Sequence, residues 1–153
     1  MESLAITRLD HVAVAVWKVD EHLPFLTQLF GMKVVGRFRS EEERYAGVTL
    51  DVPGSDTQWE LVEPTSDDGF LARFLRERGP GLHHVTFQVE DVEKAAETLR
   101  ARGIEPFGGV RVGSTWKELF IHPRDAAGVL IQLYDGYWPS QAHQEGSQQR
   151  PAL

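Results

Sequence analysis

Two alternating apolar runs, each opened by a histidine and set 73 positions apart, constrain this chain more than any other feature. The first is Leu9-Asp10-His11-Val12-Ala13-Val14-Ala15-Val16, and the second is Leu82-His83-His84-Val85-Thr86-Phe87-Gln88-Val89. Side chains of a strand alternate between faces, so His11, Ala13 and Ala15 share one face while Val12, Val14 and Val16 share the other. In the second run His84, Thr86 and Gln88 oppose Val85, Phe87 and Val89. Each histidine therefore stands on the non-core face of its strand. A further pair keeps the spacing: Trp59-Glu60-Leu61 matches Ile131-Gln132-Leu133, with Glu60 and Gln132 72 positions apart. The chain reads as an internal duplication that brings two histidines, one glutamate and one glutamine to equivalent places.

The rest of the pattern repeats in the same way. After a strand over 8–16, Asp20 is a plausible N-cap for a helix over 21–30, with Pro24 in its first turn and Gly31 ending it. Strands are expected over 33–39, 46–52 and 58–62, with Pro53-Gly54-Ser55-Asp56 as a turn. A connecting helix carries Phe70, Leu71, Phe74 and Leu75 at helical spacing and stops at Gly79-Pro80. The second copy follows: a strand over 82–89, a helix opened by Asp91 and closed by Gly103, then strands near 104–112, 116–122 and 128–134. The expected domains are a first β-α-β-β-β module at 1–64, a connecting helix at 65–80, a second module at 81–137 and a disordered tail at 138–153.

Composition narrows the function classes. At 153 residues the chain is long enough for one well-buried domain or two small modules. It has no cysteine, which removes disulfides and thiolate ligands and fits a cytoplasmic protein. Its apolar stretches are only strand-length, so no membrane role is expected. A net charge of −7 argues against nucleic acid as a partner. An anionic substrate would need a local basic patch, for which Arg37, Arg39, Arg44, Arg111 and Lys117 are the candidates.

A lone strand histidine is usually no more than a hydrogen-bonded residue. Two at matched repeat positions, joined by Glu60 and Gln132, point instead to a metal ion. Imidazole nitrogen and carboxylate oxygen suit first-row divalent ions, and an amide oxygen can fill a further position. Cobalt, nickel, manganese, iron or zinc with bound water is expected. Strand parity selects His84 over its neighbour His83, which faces the other way and is expected to make a structural hydrogen bond. His122 fits a structural role in the last turn, and His22 and His143 are read as surface residues.

Leu9-Asp10-His11-Val12-Ala13-Val14, Glu60-Leu61-Val62-Glu63-Pro64, Gly81-Leu82-His83-His84-Val85 and His122-Pro123-Arg124-Asp125 with Gly128-Val129-Leu130-Ile131-Gln132-Leu133 resemble the vicinal oxygen chelate superfamily. That superfamily includes glyoxalase I, extradiol dioxygenases, fosfomycin and bleomycin resistance proteins and methylmalonyl-CoA epimerase, the last giving the nearest likeness. The resemblance spans about residues 8–135. It implies an α+β fold of two tandem β-α-β-β-β modules whose mixed sheet curls around a metal cup. By position it implies that His11, Glu60, His84 and Gln132 are the metal ligands, and a homodimer is expected.

Two departures from the resemblance matter. Epimerases and glyoxalases carry a glutamate, active in proton transfer, where this chain has Gln132, and an amide accepts no proton at neutral pH. The epimerase's second glutamate falls at Tyr45, with Glu41, Glu42 and Glu43 in a nearby solvated turn. Glu60 is left as the catalytic base. The implied activity is a metal-dependent isomerase, epimerase or lyase that stabilises an enolate of a small carbonyl or acyl-CoA substrate. An extradiol-type ring-cleaving dioxygenase is one alternative, since two histidines and a carboxylate also fit an iron triad. A non-catalytic bleomycin-resistance-like binding protein is the other.

Overall fold

A computed structural model describes residues 2–138 and 147–148. The tail expected to be disordered otherwise lies outside the described residues, and His143 with it. The elements follow the duplicated order: β1 (Ile6–Ala15), α1 (Val19–Pro24), β2 (Lys33–Ser40), β3 (Tyr45–Asp51), β4 (Gln58–Pro64), α2 (Phe70–Arg78), β5 (Gly81–Val89), α3 (Val92–Arg100), β6 (Phe107–Val112), β7 (Trp116–Ile121) and β8 (Leu130–Gly136). The fold is α+β, with two tandem βαβββ-like modules. No helix among the described residues is long and apolar enough to cross a membrane.

Contacts group the described chain into two compact units, one of residues up to His11 with 84–138, the other of 12–83. In the first unit α3 lays Val92, Ala95, Ala96 and Leu99 on Val89, Leu119, Ile121 and Leu133. Those strand residues are the face opposite His84 and Gln132, as the alternation requires. β5 pairs with β8 in parallel, and β6, β7 and β8 form an antiparallel meander. In the second unit β2, β3 and β4 form the equivalent meander. One of its faces packs Val48, Leu50 and Leu61 against Val16, Val19 and Leu26. The other packs Phe38, Tyr45 and Val62 against Leu71 and Leu75 of α2.

The expected curling of the sheet around a cup is corrected by this arrangement. Neighbouring strands follow the order β6-β7-β8-β5-β1-β4-β3-β2, with the two-residue strand Ser147–Gln148 beyond β2, and the two ends do not pair with each other. The mixed sheet is open, neither closed nor strongly curled. Closure would need β6 to pair with β2, whereas β2 pairs on its outer side with Ser147–Gln148. In the second unit, moreover, Phe38, Tyr45 and Val62 on one strand face are covered by α2.

The duplication extends to the way each module starts its first helix. Lys18, not Asp20, occupies the N-cap of α1, and it supplies no side-chain cap. The Val19 N–H is taken instead by Glu63 Oε2 at 2.7 Å, from the end of β4. In the second module Val92 N–H donates to Asp135 Oδ2 at 2.8 Å, from the end of β8. Both carboxylates satisfy an N–H that has no partner within its helix. Gly31 and Gly103 then leave each helix at φ of 68° and 78°, a left-handed step that glycine takes without strain. The copies differ at Pro24, which ends α1 rather than opening it. Without an N–H to continue the α ladder, the chain passes into a π-helical turn over Phe25–Leu29.

Glu63→Ala and Asp135→Ala should each lower stability by about 1 kcal/mol, the ordinary value of a lost N-terminal cap. The two losses should add, because the residues share no partner. Urea unfolding of both single variants and the double variant checks this, and an unchanged midpoint in either single variant would show that the carboxylate does not hold its helix.

Candidate metal centre

Strand alternation delivers the predicted residues to buried positions. His11 and His84 are each 1% exposed, Gln132 2% and Glu60 3%. The His11 and His84 rings meet edge to face, with centroids 5.5 Å apart. One ligand atom from each of His11, Glu60 and His84 lies within 4.8 Å of the others. The three residues are carried by β1, β4 and β5.

A chain of hydrogen bonds in the first unit fixes how two of the four residues present themselves. His11 Nδ1 contacts Asp10 Oδ2 at 2.7 Å, and the Tyr134 hydroxyl donates to Asp10 Oδ1 at 2.7 Å, with Arg8 pairing the same carboxylate. Burial pushes the Asp10 carboxyl up, but bonds from His11, Tyr134 and Arg8 outweigh it and hold the group well below the usual carboxylate range. An ionised Asp10 can only accept, so His11 Nδ1–H donates to it, and in the neutral ring Nε2 carries the lone pair. That Nε2 lies 3.0 Å from the Thr86 hydroxyl, which also donates to Gln132 Oε1 at 2.7 Å. Thr86 has one proton for two acceptors.

Gln132 is oriented from its far side. Its Nε2 donates to Glu118 Oε1 at 2.8 Å, and Arg111 pairs with Glu118 Oε2 at 3.2 Å. Two imidazoles and the Glu60 carboxylate form a cluster that can coordinate a divalent metal ion. The Gln132 oxygen is turned toward His11, where acceptors outnumber protons around Thr86.

Asp10, Thr86, Tyr134, Glu118 and Arg111 were not anticipated in these roles. The signal for Glu118 lay in the alternation of β7: Leu119 and Ile121 face α3, which puts Glu118 on the opposite face, and it is fully buried. Arg111 was a candidate for a basic patch, and here it serves Glu118. The patch is largely committed elsewhere too, since Arg39 pairs with Glu41, Arg44 with Asp68 at 2.6 Å and Lys117 with Glu93 at 3.0 Å. Tyr45 is buried against Phe38 and Phe70. His122 accepts the Arg124 N–H at 3.1 Å and so caps the last turn.

Comparison with known proteins adds an independent line. The family model described as the glyoxalase/bleomycin resistance protein/dioxygenase superfamily matches residues 10–120. The ethylmalonyl-CoA/methylmalonyl-CoA epimerase of Cereibacter sphaeroides is 32% identical over 134 residues, covering 84% of this chain and 97% of that protein. The crystal structure of methylmalonyl-CoA epimerase from Mycobacterium tuberculosis superposes with a TM-score of 0.79 at 32% identity, over 93% of this chain and 95% of the other. A variant of the Streptomyces coelicolor methylmalonyl-CoA epimerase in complex with 2-nitronate-propionyl-CoA gives 0.75 at 28% identity, over 86% and 98%.

His83 stands apart from these groups, as strand parity predicts. Its ring packs against Phe70 and Phe74, with centroids 5.6 and 4.9 Å away. Burial, with a smaller contribution from Arg78, lowers its pKa from 6.5 to about 4. The imidazole is thus neutral in the folded chain at pH values where the unfolded chain binds a proton. Stability should fall as pH drops below about 6.5 and level off below about 4, at a limiting slope of about 1.4 kcal/mol per pH unit. His83→Phe should flatten this slope between pH 6.5 and 5. Denaturant midpoints across that range would expose an error if the variant kept the wild-type slope.

Proposed function

Since the chain belongs to the glyoxalase/bleomycin resistance protein/dioxygenase superfamily, we propose that it is a metal-dependent isomerase that moves the α-proton of an acyl-CoA thioester. His11, Glu60 and His84 would hold the ion, with the Gln132 oxygen as the fourth protein ligand. The observation that carries this reading is the convergence of two imidazoles and one carboxylate in a buried setting. The named epimerases among its relatives support the substrate class. A divalent ion bound there supplies Lewis-acid polarisation of a substrate carbonyl.

The residues themselves decide what happens to the proton. Glu60 has two oxygens, so one can serve as a ligand while the other takes the α-proton and returns it. Gln132 offers an amide, whose nitrogen is occupied by Glu118. Tyr45 is buried between aromatic rings. The proton therefore leaves and returns on the Glu60 side of the substrate. A single base mostly restores the configuration it found, so isomerisation proceeds through the slower delivery of a proton to the opposite face, from solvent.

Exchange of the α-proton with solvent should accordingly outpace inversion. In deuterium oxide with added cobalt, methylmalonyl-CoA should take up deuterium with a stereochemical inversion rate at least about tenfold lower. Proton NMR with chiral analysis of the product reads both rates. Equal rates would show that a second base operates, and no uptake of deuterium would overturn the proposed activity. Glu60→Gln should abolish exchange and weaken cobalt binding by about tenfold or more.

A further inference from the structure

Glu118 is a buried carboxylate that takes no part in the proton transfer above. It is fully buried on β7, and its two oxygens have different partners. Oε2 faces the Arg111 guanidinium at 3.2 Å, and Oε1 accepts from Gln132 Nε2 at 2.8 Å. A carboxylate cannot donate, so only the nitrogen end of the amide can face it. The oxygen end is then forced toward Thr86, which donates to it at 2.7 Å and in turn lies 3.0 Å from His11 Nε2.

We propose that Glu118 is a positioning residue that locks the Gln132 amide with its oxygen toward His11 and strengthens that oxygen as a metal donor. An N–H bond to an anion draws amide electron density onto the carbonyl oxygen, as linked hydrogen bonds polarise one another. The charge of Glu118 is felt at the ligand atom through the amide between them. Arg111 neutralises the carboxylate from behind, without which its burial would be costly. The inference rests on the reading of Gln132 as a ligand. It explains why a neutral side chain stands there: a carboxylate at position 132 would face Glu118 Oε1 with no proton between two anions.

The test is cobalt titration by calorimetry on the full chain, in four forms: wild type, Glu118→Gln, Gln132→Ala and the double variant. Glu118→Gln keeps an acceptor for the amide but removes the charge, and it should lower cobalt affinity about tenfold. In the Gln132→Ala background the same change should cost less than about twofold, because its route to the metal is gone. A wild type that binds no cobalt overturns the metal reading and this inference together. A wild type that binds cobalt, with a Glu118→Gln loss that is absent or persists in full without Gln132, overturns this inference alone.

Thermal unfolding keeps the proposal exposed if those variants bind poorly for other reasons. Gln132→Glu should lower Tm by about 5 °C or more, the scale of a buried uncompensated charge in a chain of this size. Adding Glu118→Gln, which exchanges the acid and the amide, should recover most of that loss. A Gln132→Glu variant as stable as wild type, or no recovery in the exchanged pair, would overturn it.

Discussion

The candidate site depends on one constraint: polar groups buried in a sheet must find partners there, and each partner found dictates the next. Asp10 accepts the His11 Nδ1–H, so in the neutral ring Nε2 carries the lone pair. Thr86 divides a single proton between that nitrogen and Gln132. Gln132 gives its nitrogen to Glu118, and Glu118 is balanced by Arg111. No member of the series can be rotated or exchanged without leaving another unsatisfied, at about 1–3 kcal/mol for each orphaned group. Around it Tyr134, Trp138 and Trp116 stack with centroids 5.0 and 5.2 Å apart, and Trp138 is almost fully buried. Such walls raise the value of every interaction inside by excluding water.

The two modules are copies that solve one packing problem in opposite ways. Across β2 and β3, Phe38 stands opposite Gly47, and Gly47 stands opposite Val62. Across β6 and β7, Arg111 stands opposite Glu118, and Glu118 stands opposite Tyr134. The register equates the two pairs. In the first copy a phenylalanine ring lies over a glycine so closely that a Cβ would come within 2.5 Å of it. In the second copy the same ground holds an ion pair. An aromatic ring needs no partner for charge, so the first copy ends there. The ion pair presents an acceptor to Gln132, and one module thereby acquires an anchored amide where the other carries Glu60.

What was legible in the sequence was what depends on near neighbours. Alternation in 9–16 and 82–89 placed His11 and His84 on the correct faces, and Gly31 and Gly103 marked both helix ends, because strand parity and left-handed caps are local properties. The curl was not legible. It depends on which strands pair at the two ends of the sheet and on what covers it, and α2 reaches its face only through tertiary packing. Asp20 looked like a cap by composition, yet Glu63, 44 residues from Val19, makes the bond. Glu118 was passed over for a similar reason. A glutamate between Lys117 and Leu119 reads as solvated until the hairpin register, with its irregularity between Phe107 and Arg111, brings the guanidinium to it.

Positions 45 and 132, where the chain departs from the superfamily pattern that its motifs resemble, are therefore structurally committed ones. An amide at 132 is demanded by Glu118, since two carboxylates could not share that contact, and the aromatic side chain at 45 is demanded by Phe38 and Phe70. Each departure is matched by a neighbour that would be left unsatisfied or uncovered if it were reversed alone. Tyr45 is buried with no room beside Phe38 and Phe70, and the contact made by residue 132 is to a carboxylate, which an amide can satisfy and a second carboxylate cannot. On this scaffold β4 carries Glu60 beside the two histidines, while the buried carboxylate of β7 is engaged by the Gln132 amide and by Arg111.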